Sequence, residues 1–251
     1  MDSMEHLRAL LDQDRVHGPG DDSAGYLDLL PPETQRPRNL AQAAMHNPLL
    51  AAVYQRWWRP AGAMLLGAGL PGGDGEARLA RRALRLGGEQ TVLDVACGPG
   101  NFTRGFGEAL SGSGFAVGLD VSPPMLARAV RDNAHERVGY LRADARELPF
   151  ADGTFDAVCC FAALYLVPEP FRVLDELMRV LAPGGRIALL TSVHAGPAPL
   201  HPVEDRIATL AGGRMFGRDE ITGVLRDAGL VDVDQRVSGL AQFVSAGRVP
   251  A

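Results

Sequence analysis

The stretch Val92-Leu93-Asp94-Val95-Ala96-Cys97-Gly98-Pro99-Gly100-Asn101-Phe102 decides the fold. Apolar residues run into an acid at Asp94, a loop with two glycines follows, and helix-forming sequence begins after Asn101. A strand that ends in such a loop and turns directly into a helix is the opening unit of an open α/β sheet. Gly98 and Gly100 remove side chains where the backbone turns sharply, and they let a ligand come close to the main chain. Twenty positions after Gly100 a second apolar run, Phe115 to Leu119, closes on Asp120. A carboxylate there offers acceptors for two ribose hydroxyls, so a nucleoside cofactor is expected, NAD included.

The same alternation extends downstream. Strand-like runs begin near residues 91, 115, 137, 155 and 186, and helical stretches lie around 101–110, 122–133 and 169–181. Strands separated by helices imply parallel neighbours, because parallel pairing needs a long crossover. A further helix from about Arg218 to Ala228, stopped by Gly229, leads to the runs VDVDQRV and LAQFVSAG, joined by Ser238-Gly239. So short a join predicts an antiparallel hairpin. The expected fold is α/β: a doubly wound, mostly parallel seven-stranded sheet with a terminal antiparallel hairpin.

Upstream of Gly88 the periodicity is helical. Residues 1–15 carry Met4, Leu7, Leu10 and Leu11, a linker rich in proline and glycine runs to Arg38, and further helical patterns span Asn39 to Trp58 and Asp74 to Leu86. The chain is therefore read as an N-terminal helical extension, residues 1–85, followed by a ligand-binding domain, residues 86–251.

Composition narrows the chemistry. Of 251 residues 46% are hydrophobic and 22% charged, enough to bury a sizeable core. Thirty acids against 25 bases give a net charge of −5, and the bases are spread along the chain, which argues against a nucleic-acid partner. Every one of those bases is Arg. Without Lys there is no Schiff-base nucleophile, no P-loop lysine and no Tyr/Lys pair for hydride transfer. Cys97, Cys159 and Cys160 show no C-x-x-C spacing, so no disulfide framework or cysteine zinc site is expected, and a reducing cytoplasm fits. The first residues lack an apolar signal region. The longest apolar stretch, Ala61 to Leu70, falls well short of the ~20 residues a membrane span requires.

The glycine loop itself discriminates among nucleoside cofactors. A pyrophosphate loop places a third glycine where this chain has Thr103, and an acid at the strand end suits an ammonium or sulfonium better than two phosphates. At this point the sequence resembles the class I S-adenosylmethionine-dependent methyltransferases, in particular the small-molecule group that includes the ubiquinone and menaquinone enzymes. Asp94 to Gly100 is similar to that family's first motif, and Leu119 to Ser122 with Met125-Leu126 to its ribose-binding acid and following helix. Asp144-Ala145 with Leu148-Pro149-Phe150 and Phe155-Asp156 resembles its adenine-binding segment and fourth strand, and Leu181 to Gly185 the turn before its fifth.

The resemblance implies S-adenosylmethionine as cofactor. Asp94, Ala96, Cys97, Gly98 and Gly100 would surround its methionine part, and Asp120 would hold the ribose. Val121 and Met125 would flank the base, Asp144 would accept from the adenine amino group, and the Ala145 N–H would donate to the ring. The backbone near Phe161 would meet the cofactor's amino group. The segment Ala162 to Val167 departs from the Gly-Leu-Arg-Asn pattern of the quinone enzymes.

Methyl transfer from a sulfonium is an in-line displacement that depends on alignment more than on acid or metal catalysis. No metal site is expected from the motifs present, since there is no H-E-x-x-H and no calcium loop. For an acceptor that must lose a proton the candidate bases are His194, in a 192–216 segment that also holds His201, and Tyr165. In the extension, Tyr54, Trp57, Trp58 and Arg59 form the densest aromatic cluster, a candidate lid in which Tyr54 would face the sulfonium. A small-molecule substrate is expected. Two other readings share the fold: an S-adenosylmethionine-binding protein without turnover, and an NAD(P)-dependent reductase.

Overall fold

The structure, a computed structural model, describes residues 2–16, 18–31, 74–210 and 212–251. Its strands are β1 (Leu27–Asp28), β2 (Thr91–Val95), β3 (Phe115–Asp120), β4 (Val138–Arg142), β5 (Phe155–Phe161), β6 (Leu181–Ser192), β7 (Val231–Ser238) and β8 (Ala241–Gly247). They form one sheet in the order β1-β4-β3-β2-β5-β6-β8-β7. β1 to β6 pair in parallel, and β8 is antiparallel to both β6 and β7. The described helices are α1 (Ser3–Ala9), α2 (Asp74–Ala83), α3 (Asn101–Ala109), α4 (Pro123–Asn133), α5 (Pro170–Val180), α6 (His201–Leu210) and α7 (Glu220–Asp227). None is long and apolar enough to cross a membrane.

The central strands are apolar on both faces because helices cover both. In β5, Ala157 and Cys159 face one core together with Phe106 of α3 and Leu126 of α4, while Val158 and Cys160 face the other with α5 and α7. The sequence of α5 shows how one such layer is specified. Pro170 starts the helix, and Val173, Leu174, Leu177 and Val180 fall on one stripe that is fully buried, each side chain contributing roughly 1.5–3 kcal/mol.

The sheet has eight strands where seven are expected. The addition is β1, two residues within the stretch read as linker, whose Leu27 and Asp28 pair with Leu141 and Arg142. A strand of two residues is too short to show alternation, and tertiary contacts hold it. Arg142 Nη1 donates to both Asp28 oxygens at 3.0 and 2.9 Å. Leu7 of α1 is fully buried in the sheet's core, and His6 stacks on Phe115 at 4.2 Å. The expected turn at Leu181 to Gly185 is a bulge inside β6: Phe155 pairs with Leu181, and the register then jumps to Ala157 with Arg186.

Candidate functional site

From β2 the chain builds outward through β3 and β4 on one side and returns to β5 on the other, so the C-terminal ends of β2 and β5 flank the crevice where open α/β sheets bind ligands. Both strands end in a left-handed residue that carries a Cβ: Ala96 at φ 57° and Ala162 at φ 56°. That backbone costs roughly 1–2 kcal/mol per residue, and it turns the chain off the sheet at both rims of the crevice.

The loop after β2 is tied down from several directions. Cys97 N–H donates to the Leu119 C=O at 3.0 Å, Gly98 N–H to Asp120 Oδ2 at 2.8 Å, and Gly100 N–H to the Cys97 C=O at 3.0 Å. Asn133 at the end of α4 donates through Nδ2 to the Pro99 C=O at 2.7 Å, while Tyr140 Oη donates to the Asn133 C=O at 2.9 Å. The two glycines differ in purpose. A Cβ at Gly100 (φ 80°) would fall on the Tyr140 hydroxyl, whereas a Cβ at Gly98 (φ 56°) would meet nothing within 4 Å. Gly100 is needed for packing; Gly98 faces open space.

Two carboxylates sit beside this loop. Asp94 is 2% exposed and accepts from Thr103 Oγ1 at 2.6 Å and from Cys159 Sγ at 3.5 Å. Burial pushes its carboxyl up to about 6 despite those donors. Asp120 is buried at the end of β3, and its second oxygen accepts from Ser122 N–H at 2.9 Å. Next to it Val121 is 43% exposed, an apolar side chain left at the rim, while Met125 is buried beneath.

Asp144 is partly buried, and both its oxygens accept from Arg146, with Nη2 at 2.6 Å and Nε at 3.0 and 3.2 Å. Burial alone would raise its pKa, but these bonds outweigh it and hold the carboxyl below its usual range. Ala145 packs partly buried against the core. The Phe161 ring packs against Phe102 at 5.0 Å and Phe243 at 6.1 Å and is partly buried. Cys97, Cys159 and Cys160 are buried free thiols, their pKa values raised by burial, that of Cys160 to about 12, which leaves them without thiolate character.

Of the candidate bases, Tyr165 packs partly buried against the core, and its C=O accepts from Arg214 N–H at 3.0 Å. His194, just after β6, has Nδ1 2.7 Å from Glu204 Oε2 and Nε2 3.4 Å from Asp205 Oδ1. Tyr54 and the neighbouring Trp57, Trp58 and Arg59 lie outside the described residues.

Sequence reasoning missed Thr103 as the donor to Asp94, Arg146 as the partner of Asp144, and Asn133 as the brace of the loop. For Thr103 a signal existed, since it stands where the third glycine of a dinucleotide loop would be.

A model of a methyltransferase domain matches residues 93–189, which span the loop, both carboxylates and β5. Over 167 residues the chain is 32% identical to the demethylmenaquinone methyltransferase of Geobacillus sp. (strain WCH70), covering 57% of this chain and 71% of that protein. The chain belongs to the class I S-adenosylmethionine-dependent methyltransferases. It is also 32% identical over 201 residues to an uncharacterized chloroplastic methyltransferase of Arabidopsis thaliana, over 76% of this chain. It spans 55% of that relative's length. A solved Haemonchus contortus phosphoethanolamine N-methyltransferase 2, in complex with S-adenosylhomocysteine, shares the fold, with a TM-score of 0.66 at 16% identity over 82% of this chain and 59% of that one.

The residues present fit the cofactor of this family. Gly98 leaves room beside the loop, Asp120 offers a carboxylate next to it, Val121 presents an exposed apolar side chain, and the buried Asp94 supplies negative potential for a sulfonium or ammonium.

Proposed function

We propose that this methyltransferase moves a methyl group from S-adenosylmethionine to a small organic acceptor. One observation carries the reading: the open space at Gly98 adjoins an amide held by Asp120, so the glycine loop and the ribose acid address a single ligand. When bound, the cofactor supplies a methyl group on a sulfonium whose positive charge disperses as the methyl leaves.

The chain's own residues bind and align. Asp120 accepts from the ribose hydroxyls, and Val121 and Met125 bound the base. Asp144 and the Ala145 N–H address the adenine edge, in competition with Arg146. Asp94 favours the cationic end, with Ala96, Cys97, Gly98, Gly100 and the Phe161 backbone around it. Alignment of acceptor and methyl in line at ~3 Å contributes several kcal/mol of the barrier reduction.

For acceptors that must lose a proton, His194 is the assigned base, with Glu204 orienting its ring, and Tyr165 lines the same sheet edge. The departure of Ala162 to Val167 from the quinone-enzyme pattern favours an acceptor other than a menaquinone precursor. Unpaired buried thiols suit a reducing compartment, and we place the protein in the cytoplasm.

The test is a thermal shift with S-adenosylmethionine, S-adenosylhomocysteine and NADPH side by side, followed by S-adenosylhomocysteine release over an acceptor panel. Ligand at one hundred times its dissociation constant adds ~2.7 kcal/mol of stability. Stabilisation by NADPH alone overturns the reading; binding with no release over the whole panel leaves a cofactor-binding protein without turnover.

A further inference from the structure

Away from the cofactor loop, the segment after β6 draws His194, His201 and Glu204 together, with one nitrogen or oxygen atom from each lying within 4.8 Å of the others. The local sequence explains the convergence. His194 leaves the end of β6, where its N–H donates to the Phe216 C=O at 2.9 Å. His201 opens α6 and Glu204 follows three residues later, so both project from one face of the helix toward His194. All three are partly buried, and the imidazole rings stack at 4.0 Å.

The outer atoms of the cluster are held as in a ligand set. His201 Nε2 is 3.0 Å from the Gly196 C=O, and His194 Nε2 is 3.4 Å from Asp205 Oδ1. Metal-bound imidazoles almost always give their outer N–H to a carbonyl or carboxylate of this kind, which fixes the tautomer with the other nitrogen free to ligate. On His194 the inner atom is Nδ1, which stands 2.7 Å from Glu204 Oε2 and gives up that hydrogen bond to take an ion. Glu204 is itself oriented by the Gly196 N–H, which donates to Oε1 at 3.0 Å.

We propose that His194, His201 and Glu204 bind one divalent first-row transition cation, of which Zn²⁺ is the type. Two imidazoles with one carboxylate suit such an ion better than Mg²⁺ or Ca²⁺, which take oxygen ligands. Ligand bonds of about 2.0–2.2 Å place neighbouring donors about 3.3 Å apart. The 2.7 Å contact therefore opens by a few tenths of an ångström, the wider separations close, and the two rings, now stacked 13° from parallel, turn so that both ring planes meet the ion. Three protein ligands leave a position open at the C-terminal edge of the sheet for water or for an oxygen or nitrogen of a bound molecule. An ion on His194 Nδ1 removes the contact by which Glu204 orients the ring, so the base assigned above belongs to the ion-free protein. The site itself does not depend on the reading of the cofactor crevice.

The test uses the full chain without a histidine tag, stripped with a chelator and titrated with Co²⁺ under visible absorption and equilibrium dialysis. One equivalent is expected, with a d–d spectrum that Zn²⁺ abolishes. In Glu204→Gln, which keeps the side chain's shape and an acceptor for the Gly196 N–H, and in His201→Ala, Co²⁺ affinity is expected to fall at least tenfold, with folding checked by circular dichroism. A hydrogen-bonded clamp with no metal role predicts otherwise. Substoichiometric binding by the unsubstituted protein, or binding that survives both substitutions, overturns the site.

Discussion

The Asp120 carboxylate reaches back twenty-two residues to take the Gly98 N–H at 2.8 Å. Its other oxygen takes the Ser122 N–H, so one side chain fixes both the glycine loop and the entry to α4. A carboxylate has about four acceptor sites, enough for two amides and two ribose hydroxyls. Asp120→Ala removes all of them. Hydrogen bonds to a charged group contribute about 1.5–3 kcal/mol each, so loss of two should lower S-adenosylmethionine affinity by at least about 100-fold by calorimetry, with Asp120→Asn between the unsubstituted protein and Asp120→Ala. Unchanged affinity in Asp120→Ala would remove Asp120 from the ribose site.

Asp94 gives a pH signature of opposite sign to the usual carboxylate. Its pKa is raised from 3.8 to about 6 by burial, so between those values the folded state holds more protons than the unfolded chain. This group's contribution therefore falls as pH rises from about 4 to 6, and above 6 its ionisation costs about 3 kcal/mol. Asp94→Asn should be more stable than the unsubstituted protein in urea at pH 7.5, and the advantage should shrink as pH falls toward 4. A cationic ligand needs the ionised form, so S-adenosylmethionine should also bind more weakly below pH 6. A stability gap that widens on acidification would contradict the burial of this charge.

The loop, Asp120 and the central parallel strands were legible because each is written locally: a glycine pair, a strand-end acid at fixed distance, an apolar run of five or six residues. What escaped is non-local. Asp28 and Arg142 are 114 residues apart, and no short pattern announces that they meet. Arg146 is only two residues from Asp144, but whether it forks back onto the carboxylate or points to solvent depends on Glu169, which takes its Nη1 at 2.7 Å. The pairing of His194 with Glu204 needed the start of α6, which His201-Pro202 marks weakly.

The Asp28 and Arg142 pair makes an asymmetric prediction. The arginine side chain is 1% exposed, with Nε on the Val121 C=O at 3.1 Å, while the aspartate is 25% exposed. Asp28→Ala strands a buried guanidinium, for which about 3 kcal/mol is a fair cost after allowance for the partial exposure. Arg142→Met replaces the cation with an apolar chain and leaves an acid that water can reach, so it should cost less. Guanidinium titrations of the two variants check the order, and a larger loss in Arg142→Met would show that the guanidinium's other contacts, to the Val121 and Leu30 carbonyls, dominate.

Gly98 and Gly100 separate folding from binding. Both are left-handed, so alanine at either carries a backbone cost of roughly 1 kcal/mol. At Gly100 the new Cβ also collides with Tyr140, whose ring carbons stand 2.8 and 2.9 Å from it, and overpacking of that kind adds about 1–3 kcal/mol. Gly100→Ala should therefore melt well below Gly98→Ala, and Tyr140→Phe should recover part of the loss by removing the hydroxyl. At Gly98 the Cβ enters open space, which the proposed adenosyl ligand would fill. Gly98→Ala should consequently fold nearly normally yet lose at least tenfold in S-adenosylhomocysteine affinity, measured by calorimetry on protein whose melting is checked first. Full affinity in Gly98→Ala would place the ligand elsewhere, whatever the loop resembles.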